Sequence, residues 1–196
     1  MTRLALIRHA ATPWTEQARI QGRSDIGLSP RGRAAAARWR PPDALDGADW
    51  LSSPLARARG TARLMGIDAV AVEPRLIEMD WGRWEGRRLA ELRAELGAAM
   101  AENEARGLDF RAEGGESPRE LQRRLEPWLA EVAGRDRPVA AVTHKGVIRA
   151  VFARAAGWDM TGEPPVRLDW ACAHLFDLAA DGAPAIAELN VALEAT

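Results

Sequence analysis

A chain of 196 residues, 47% hydrophobic and 28% charged, has the size and composition of one globular domain with one core, and its formal net charge of −1 excludes a general nucleic-acid or membrane-surface binder. The apolar run at its start, Leu4 to Ile7, is too short for a signal-peptide core or a bilayer span, so a cytoplasmic protein with no membrane partner is expected. One cysteine, Cys172, excludes an internal disulfide, and three histidines beside it offer no metal-ligand spacing.

In chain order, Leu4 to Ile7 reads as a buried strand ending in Arg8-His9. Ser29-Pro30 sets a capping hydroxyl before a proline suited to the first helical position, which predicts a helix from Pro30 that stops before Pro41-Pro42. Trp50-Leu51 is a second strand leading into Ser52-Ser53. Ser53-Pro54 predicts a helix capped by Ser53, running from Pro54 to near Gly66, and Val70 to Val72 a further short strand. Residues from Arg87 to about Arg106 read as a helix and Gly107 to Glu116 as a glycine-rich return, so that 87–116 form a helical excursion near the site. Ser117-Pro118-Arg119-Glu120 carries a capping box and predicts a helix from Pro118 to near Gly134, bent at Pro127. Val139 to Val142 repeats the strand pattern, ending in Thr143-His144, and an apolar helix follows to Gly157. Ala173 to Leu178 and Ala185 to Val191 pair as a hairpin across Asp181-Gly182.

Strands alternating with helices predict an α/β fold, a three-layer α/β/α sandwich with a mostly parallel sheet, whose ligands collect beyond the carboxyl ends of the strands. Arg8, His9, Ser53 and His144 all fall at such ends. Without repeats or linkers, residues 1–196 read as one domain.

Arg57, early in the helix after Ser53, leans back toward the strand edge, because helical side chains point toward the amino end. Two arginines and two histidines gathered at helix amino ends suit a phosphate. A reaction needs a nucleophile, for which a neutral imidazole serves, and an acid for the departing oxygen, for which the segment Leu76-Ile77-Glu78-Met79-Asp80-Trp81-Gly82-Arg83-Trp84-Glu85-Gly86 offers a carboxyl.

These segments resemble the histidine phosphatase superfamily, which includes the cofactor-dependent phosphoglycerate mutases. The resemblance rests on Leu6-Ile7-Arg8-His9, Thr12-Pro13-Trp14, Gln21-Gly22-Arg23-Ser24-Asp25 with Leu28-Ser29, Ser52-Ser53-Pro54-Leu55-Ala56-Arg57-Ala58, Glu78 to Gly86, Gly114-Gly115-Glu116-Ser117 and Thr143-His144. It implies that His9 takes the phosphoryl group, that Arg8, Arg57 and His144 hold its oxygens, and that Glu78 is the proton donor. It also implies that Thr15, Gln21 and Gly22 meet the substrate, a small phosphorylated molecule, and that no metal or organic cofactor takes part.

The chain departs from the family pattern at Ala10, where glycine is usual, at Ala11, where an acidic residue is usual, at Thr15, where asparagine is common, and at Lys145, where glycine follows the second histidine. Lys145, the chain's single lysine, is either a solvated first-turn side chain or a contact to the substrate's anionic groups. Trp81 and Trp84 are read as pocket wall or packing, Glu85 as a group that orients backbone or an arginine, and His174 and Cys172 as structural. A phosphatase is expected. Only about 35 residues separate Glu78 from Gly114, a short cover that admits water, which leaves phosphoglycerate mutase-type transfer and a non-catalytic phosphate-binding protein as the alternatives.

Overall fold

The computed structural model describes residues 1–67 and 69–193. Six strands form one sheet: β1 (Thr2–Arg8), β2 (Asp49–Ser52), β3 (Val70–Val72), β4 (Val139–Thr143), β5 (Cys172–Leu178) and β6 (Pro184–Ala192), in the order β3-β2-β4-β1-β5-β6. The first four are parallel to one another, while β5 pairs antiparallel with β1 and β6 antiparallel with β5. The helices are α1 (Pro13–Glu16), α2 (Pro30–Ala36), α3 (Ala56–Leu64), α4 (Leu89–Leu96), α5 (Ala98–Glu104), α6 (Pro118–Ala133) and α7 (Lys145–Ala156).

Side chains alternate across a strand, so each strand feeds two cores. Leu4 and Leu6 of β1 pack with Leu125, Trp128 and Leu129 of α6 and Ile148 and Phe152 of α7. Ala5 and Ile7 face the other way, onto Ala36 of α2 and Ala58 and Ala62 of α3. The result is the expected three-layer α/β/α arrangement. No helix among the described residues is long and apolar enough to cross a membrane.

Register decides where the chemistry gathers. β4 lies between β1 and β2, pairing Arg8 with Thr143 and Ser52 with Val142. The His9 amide therefore donates to the Thr143 carbonyl at 2.9 Å, and the Ser53 amide to the Val142 carbonyl at 3.0 Å. His9, His144 and Ser53 leave the sheet side by side.

Two local expectations need correction, the Ser53 cap and the single helix over 87–106. The helix after Ser53 begins at Ala56, with Leu55 at its cap position and no side-chain cap; the Ser53 hydroxyl instead accepts from the Leu55 amide at 3.3 Å and meets His144 Nε2 at 2.7 Å. α2 stops before Pro41-Pro42 as expected, at Ala36, and the next turn buries Trp39 in the core beside it. The 87–106 helix is two, α4 and α5, divided at Gly97, whose φ of +50° and ψ of −121° no helix contains. α6 spans Pro118–Ala133 as one helix with Pro127 inside it, on its exposed face. The short α1, capped reciprocally by Thr12 and Thr15, was not anticipated.

Candidate active site

His9 is 4% exposed at the end of β1. Its Nδ1 lies 2.8 Å from the Ala10 carbonyl. A carbonyl only accepts, so Nδ1 carries the hydrogen and Nε2 holds the lone pair. Burial first, then the charges of Arg8 and Arg57, push the imidazole well below its ordinary pKa against the weaker pull of the Ala10 carbonyl, which keeps it neutral. The Ala10 amide donates to Thr61 Oγ1 at 3.0 Å, and that hydroxyl donates to the Arg57 carbonyl at 2.7 Å. Ala10 is absent from the residues with left-handed backbone and sits in the core, so no glycine is required there.

Arg57 is fully buried, yet its guanidinium donates to the carbonyls of Ser24 and Gly22, each at 2.7 Å. Those carbonyls are held in place by Glu85, which accepts from the amides of Arg23 and Ser24 at 2.7 and 2.9 Å and from the Ser24 hydroxyl at 2.5 Å. Gly22 has a φ of +52°, and a Cβ there would collide with the Glu85 carboxylate, so the turn needs glycine twice over. Glu85 thus orients backbone, as the sequence suggested. Arg8 lies over the Trp170 ring at 5.5 Å, and burial lowers its pKa. Arg8 Nε and Arg57 Nε have no hydrogen-bond partner among the described residues.

Glu78 is 9% exposed and follows a short turn, Pro74–Leu76. Its two oxygens accept from the amides of Met79 at 2.9 Å and Gly146 at 3.1 Å. Burial nevertheless wins over those bonds and over Arg57 and Arg8, and the carboxyl is raised above its usual range. From α6, Arg124 donates to the carbonyls of Arg75 and Ile77 and pairs with Glu116 at 2.9 Å, fixing the segment that carries Glu78. A side chain on Gly146 would strike the Glu78 carboxylate.

His144 stands at the cap position of α7, its ring centroid 5.1 Å from that of His9. It is fully buried, and burial followed by the charges around it lowers its pKa well below the ordinary value. It lies behind the cavity lining, with Nδ1 unpartnered among the described residues.

These groups open on a cavity of about 600 Å³, lined by Arg8, His9, Arg57 and Glu78 on one side and by Thr15, Gln21, Gly22, Trp81, Phe110, Lys145, Arg149 and Met160 around it. That volume suits a small organic phosphate. Thr15 and Gln21 are bonded to each other at 3.0 Å and to Thr12, which leaves them part of the rim with much of their polarity spent. Trp81 lines the cavity, whereas Trp84 packs behind it, with Phe110 edge-on to both at 5.8 and 5.7 Å. Among the described residues no cluster of three or more His, Cys, Asp or Glu side chains offers a metal site.

Four contributors escaped the sequence reading. Gly146 sits one residue past the motif, and Thr61 and Arg124 act across distances that no local pattern reveals. Arg149 alone had a signal, since it lies four residues beyond Lys145 on the same helix face.

Comparison with known proteins gives a consistent picture. Residues 4–192 match the family described as the histidine phosphatase superfamily (branch 1). A bifunctional protein of Mycobacterium tuberculosis is 32% identical over 96% of this chain, although the match spans only 54% of that protein. A glucosyl-3-phosphoglycerate phosphatase of Mycolicibacterium vanbaalenii is 34% identical, over 83% of this chain and 77% of its own. Among solved structures, a mycobacterial glucosyl-3-phosphoglycerate phosphatase in complex with VO3 superposes with a TM-score of 0.77 at 28% identity, covering 98% of this chain and all of that one.

Proposed function

The chain belongs to branch 1 of the histidine phosphatase superfamily, and from that premise we propose that it is a phosphatase that hydrolyses a small phosphate monoester through a phosphorylated His9. One observation carries the reading: the Ala10 carbonyl fixes the His9 tautomer so that the lone pair of Nε2 is available in a cavity shared with Arg8, Arg57 and Glu78.

In the proposed reaction Nε2 attacks phosphorus while the ester oxygen departs, taking the proton that Glu78 holds because burial raises its carboxyl. Arg8 and Arg57 stabilise the charge spread over the phosphoryl oxygens from the cavity lining, and His144 does so from behind it, through the Nδ1 that no protein group engages among the described residues. The Glu78 carboxylate then accepts a proton from the water that attacks phosphohistidine, which releases phosphate and restores both groups. Water is the preferred acceptor over a second substrate hydroxyl, the mutase alternative, since among relatives matched over most of their own length several are named phosphatases, against one named a probable phosphoglycerate mutase. The chain acts as one domain, with residues 87–116 as its excursion, on a metabolite-sized substrate in the cytoplasm.

Brief exposure to a radiolabelled phosphate ester, followed by a quench, should leave acid-labile label on the wild-type protein and none on His9→Ala, which should also lose turnover. Turnover by His9→Ala at the wild-type rate would end the proposal, as would phosphate binding by the wild type with no turnover of any ester.

A further inference from the structure

Resting on that reading, we propose that the far wall of the cavity is a second anion-binding subsite, formed by Lys145 and Arg149 of α7, and that the substrate is a phosphate monoester carrying another anionic group besides the phosphate transferred to His9. Both side chains line the same cavity as His9 and Glu78. Four residues apart, they share one face of α7, about 6 Å apart along its axis.

The cavity's other cations have other tasks: Arg8 and Arg57 face the transferred phosphate in the proposed reaction, Arg93 pairs with Glu104 at 2.7 Å, and Arg19 donates to the Gly86 carbonyl at 2.6 Å. Lys145 and Arg149 differ. Each lies over a tryptophan, Lys145 Nζ 5.4 Å from the centre of Trp170 and Arg149 Cζ 5.2 Å from that of Trp158. Neither forms an ion pair among the described residues, and the one carboxylate whose charge acts on Lys145 is Glu78, the proposed acid. An aromatic face orients a cation without cancelling its charge, so both remain free to meet an anion.

This placement costs stability in the empty protein. The two cations repel each other, they are partly desolvated, and Lys145 stands in the first turn of α7, where the helix dipole disfavours positive charge. An anion bound between them relieves all three penalties. Trp170 also backs Arg8, so one ring supports a ligand of the transferred phosphate and one of the second anion. Trp158 is itself fixed, packed against Phe152 at 6.2 Å and donating to the Thr161 carbonyl at 2.9 Å. A carboxylate and a second phosphate share the chemistry required.

The test compares three esters on one skeleton: 3-phosphooxypropanoate, its uncharged amide, and propane-1,3-diol bisphosphate. The wild type should prefer the charged esters over the amide by about tenfold or more in kcat/KM, mainly through KM. Arg149→Gln and Lys145→Gln should each shrink that ratio about tenfold, and Arg149→Lys should retain most of it. Preference for the carboxylate names one source of the anion and preference for the bisphosphate the other, and either supports the subsite. Equal use of amide and charged esters by the wild type would overturn it, as would Arg149→Gln slowing all three alike. Should no ester be turned over and no phosphohistidine form, the phosphatase reading fails instead. Titration calorimetry with the same compounds then still decides the subsite, equal affinities for the amide and the charged esters being the overturning result.

Discussion

The floor of the cavity and its far wall are built on opposite plans. On the floor, Arg8 leans on Trp170, and the other reacting groups are buried and tied to distant segments: His9 through Ala10, whose amide meets Thr61, Arg57 through the loop that Glu85 grips, Glu78 through Gly146 and the Arg124 network. On the wall, Lys145 and Arg149 rest on indole faces and keep their charges unspent. A floor of that kind fixes geometry, as transition-state stabilisation requires. A wall of the other kind leaves hydrogen-bonding capacity for whatever distinguishes one ester from another. Floor substitutions should therefore slow all esters together, and wall substitutions should change their ranking.

The largest effect that sharpens this contrast is Glu78→Gln. Removing the acid should lower turnover of alkyl phosphates by about a hundredfold to ten-thousandfold, and of an activated aryl phosphate far less, because a good leaving group needs little protonation. Equal slowing of both classes would assign Glu78 to binding. Gly146→Ala comes next. A methyl group there meets the Glu78 carboxylate, so alkyl-ester turnover should fall by about tenfold or more with the same leaving-group signature. In a helix, alanine is otherwise favoured over glycine by about 1 kcal/mol, so a melting temperature that holds or rises while activity falls separates displacement of Glu78 from simple misfolding.

Gly146 also marks where sequence reading stops. The strands, the ends that carry His9 and His144, and the caps at Ser29 and Ser117 follow from local pattern, since a hydroxyl before proline or an apolar run has its meaning within a few residues. Arg57, His144 and Glu78 needed the family resemblance to acquire roles. What neither supplied were bonds between distant segments. Ser53 looks like a cap but answers to His144, 91 residues away, and Glu78 draws one amide partner from a glycine 68 residues on. Gly97 breaks a helix that composition alone would continue.

Glu85→Gln probes the floor more gently. The amide keeps the shape of the carboxylate but not its charge, so the bonds to the amides of Arg23 and Ser24 weaken, at a cost of about 1.5 kcal/mol in stability. Because the Gly22 and Ser24 carbonyls hold Arg57, KM should rise a few-fold for esters with and without a second charge alike. A rise confined to doubly charged esters would move Arg57 to the wall and blur the distinction between the two regions.

The smallest effect concerns what stands behind the wall. His174 of β5 is buried, its Nδ1 accepts from the Asn190 amide at 3.3 Å, and its ring meets Trp170 edge-on at 6.2 Å. Asn190 in turn accepts from the Asp169 amide at 2.6 Å and donates to the Arg167 carbonyl at 3.1 Å, so the pair anchors the segment bearing Trp170. Burial lowers the His174 pKa from the ordinary 6.5 to about 4. Between those values the unfolded chain binds a proton that the folded chain refuses, so stability falls as pH drops through that window and is unaffected by this group above it. His9 and His144, also lowered by burial, add slope of the same sign. The melting temperature of the wild type should therefore decline between pH 7 and pH 5. His174→Gln should melt lower at pH 7, where it loses packing, yet decline less over the same interval. A variant that declines as steeply as the wild type would show that His174 is not a source of the acid sensitivity, leaving it to the two histidines of the floor.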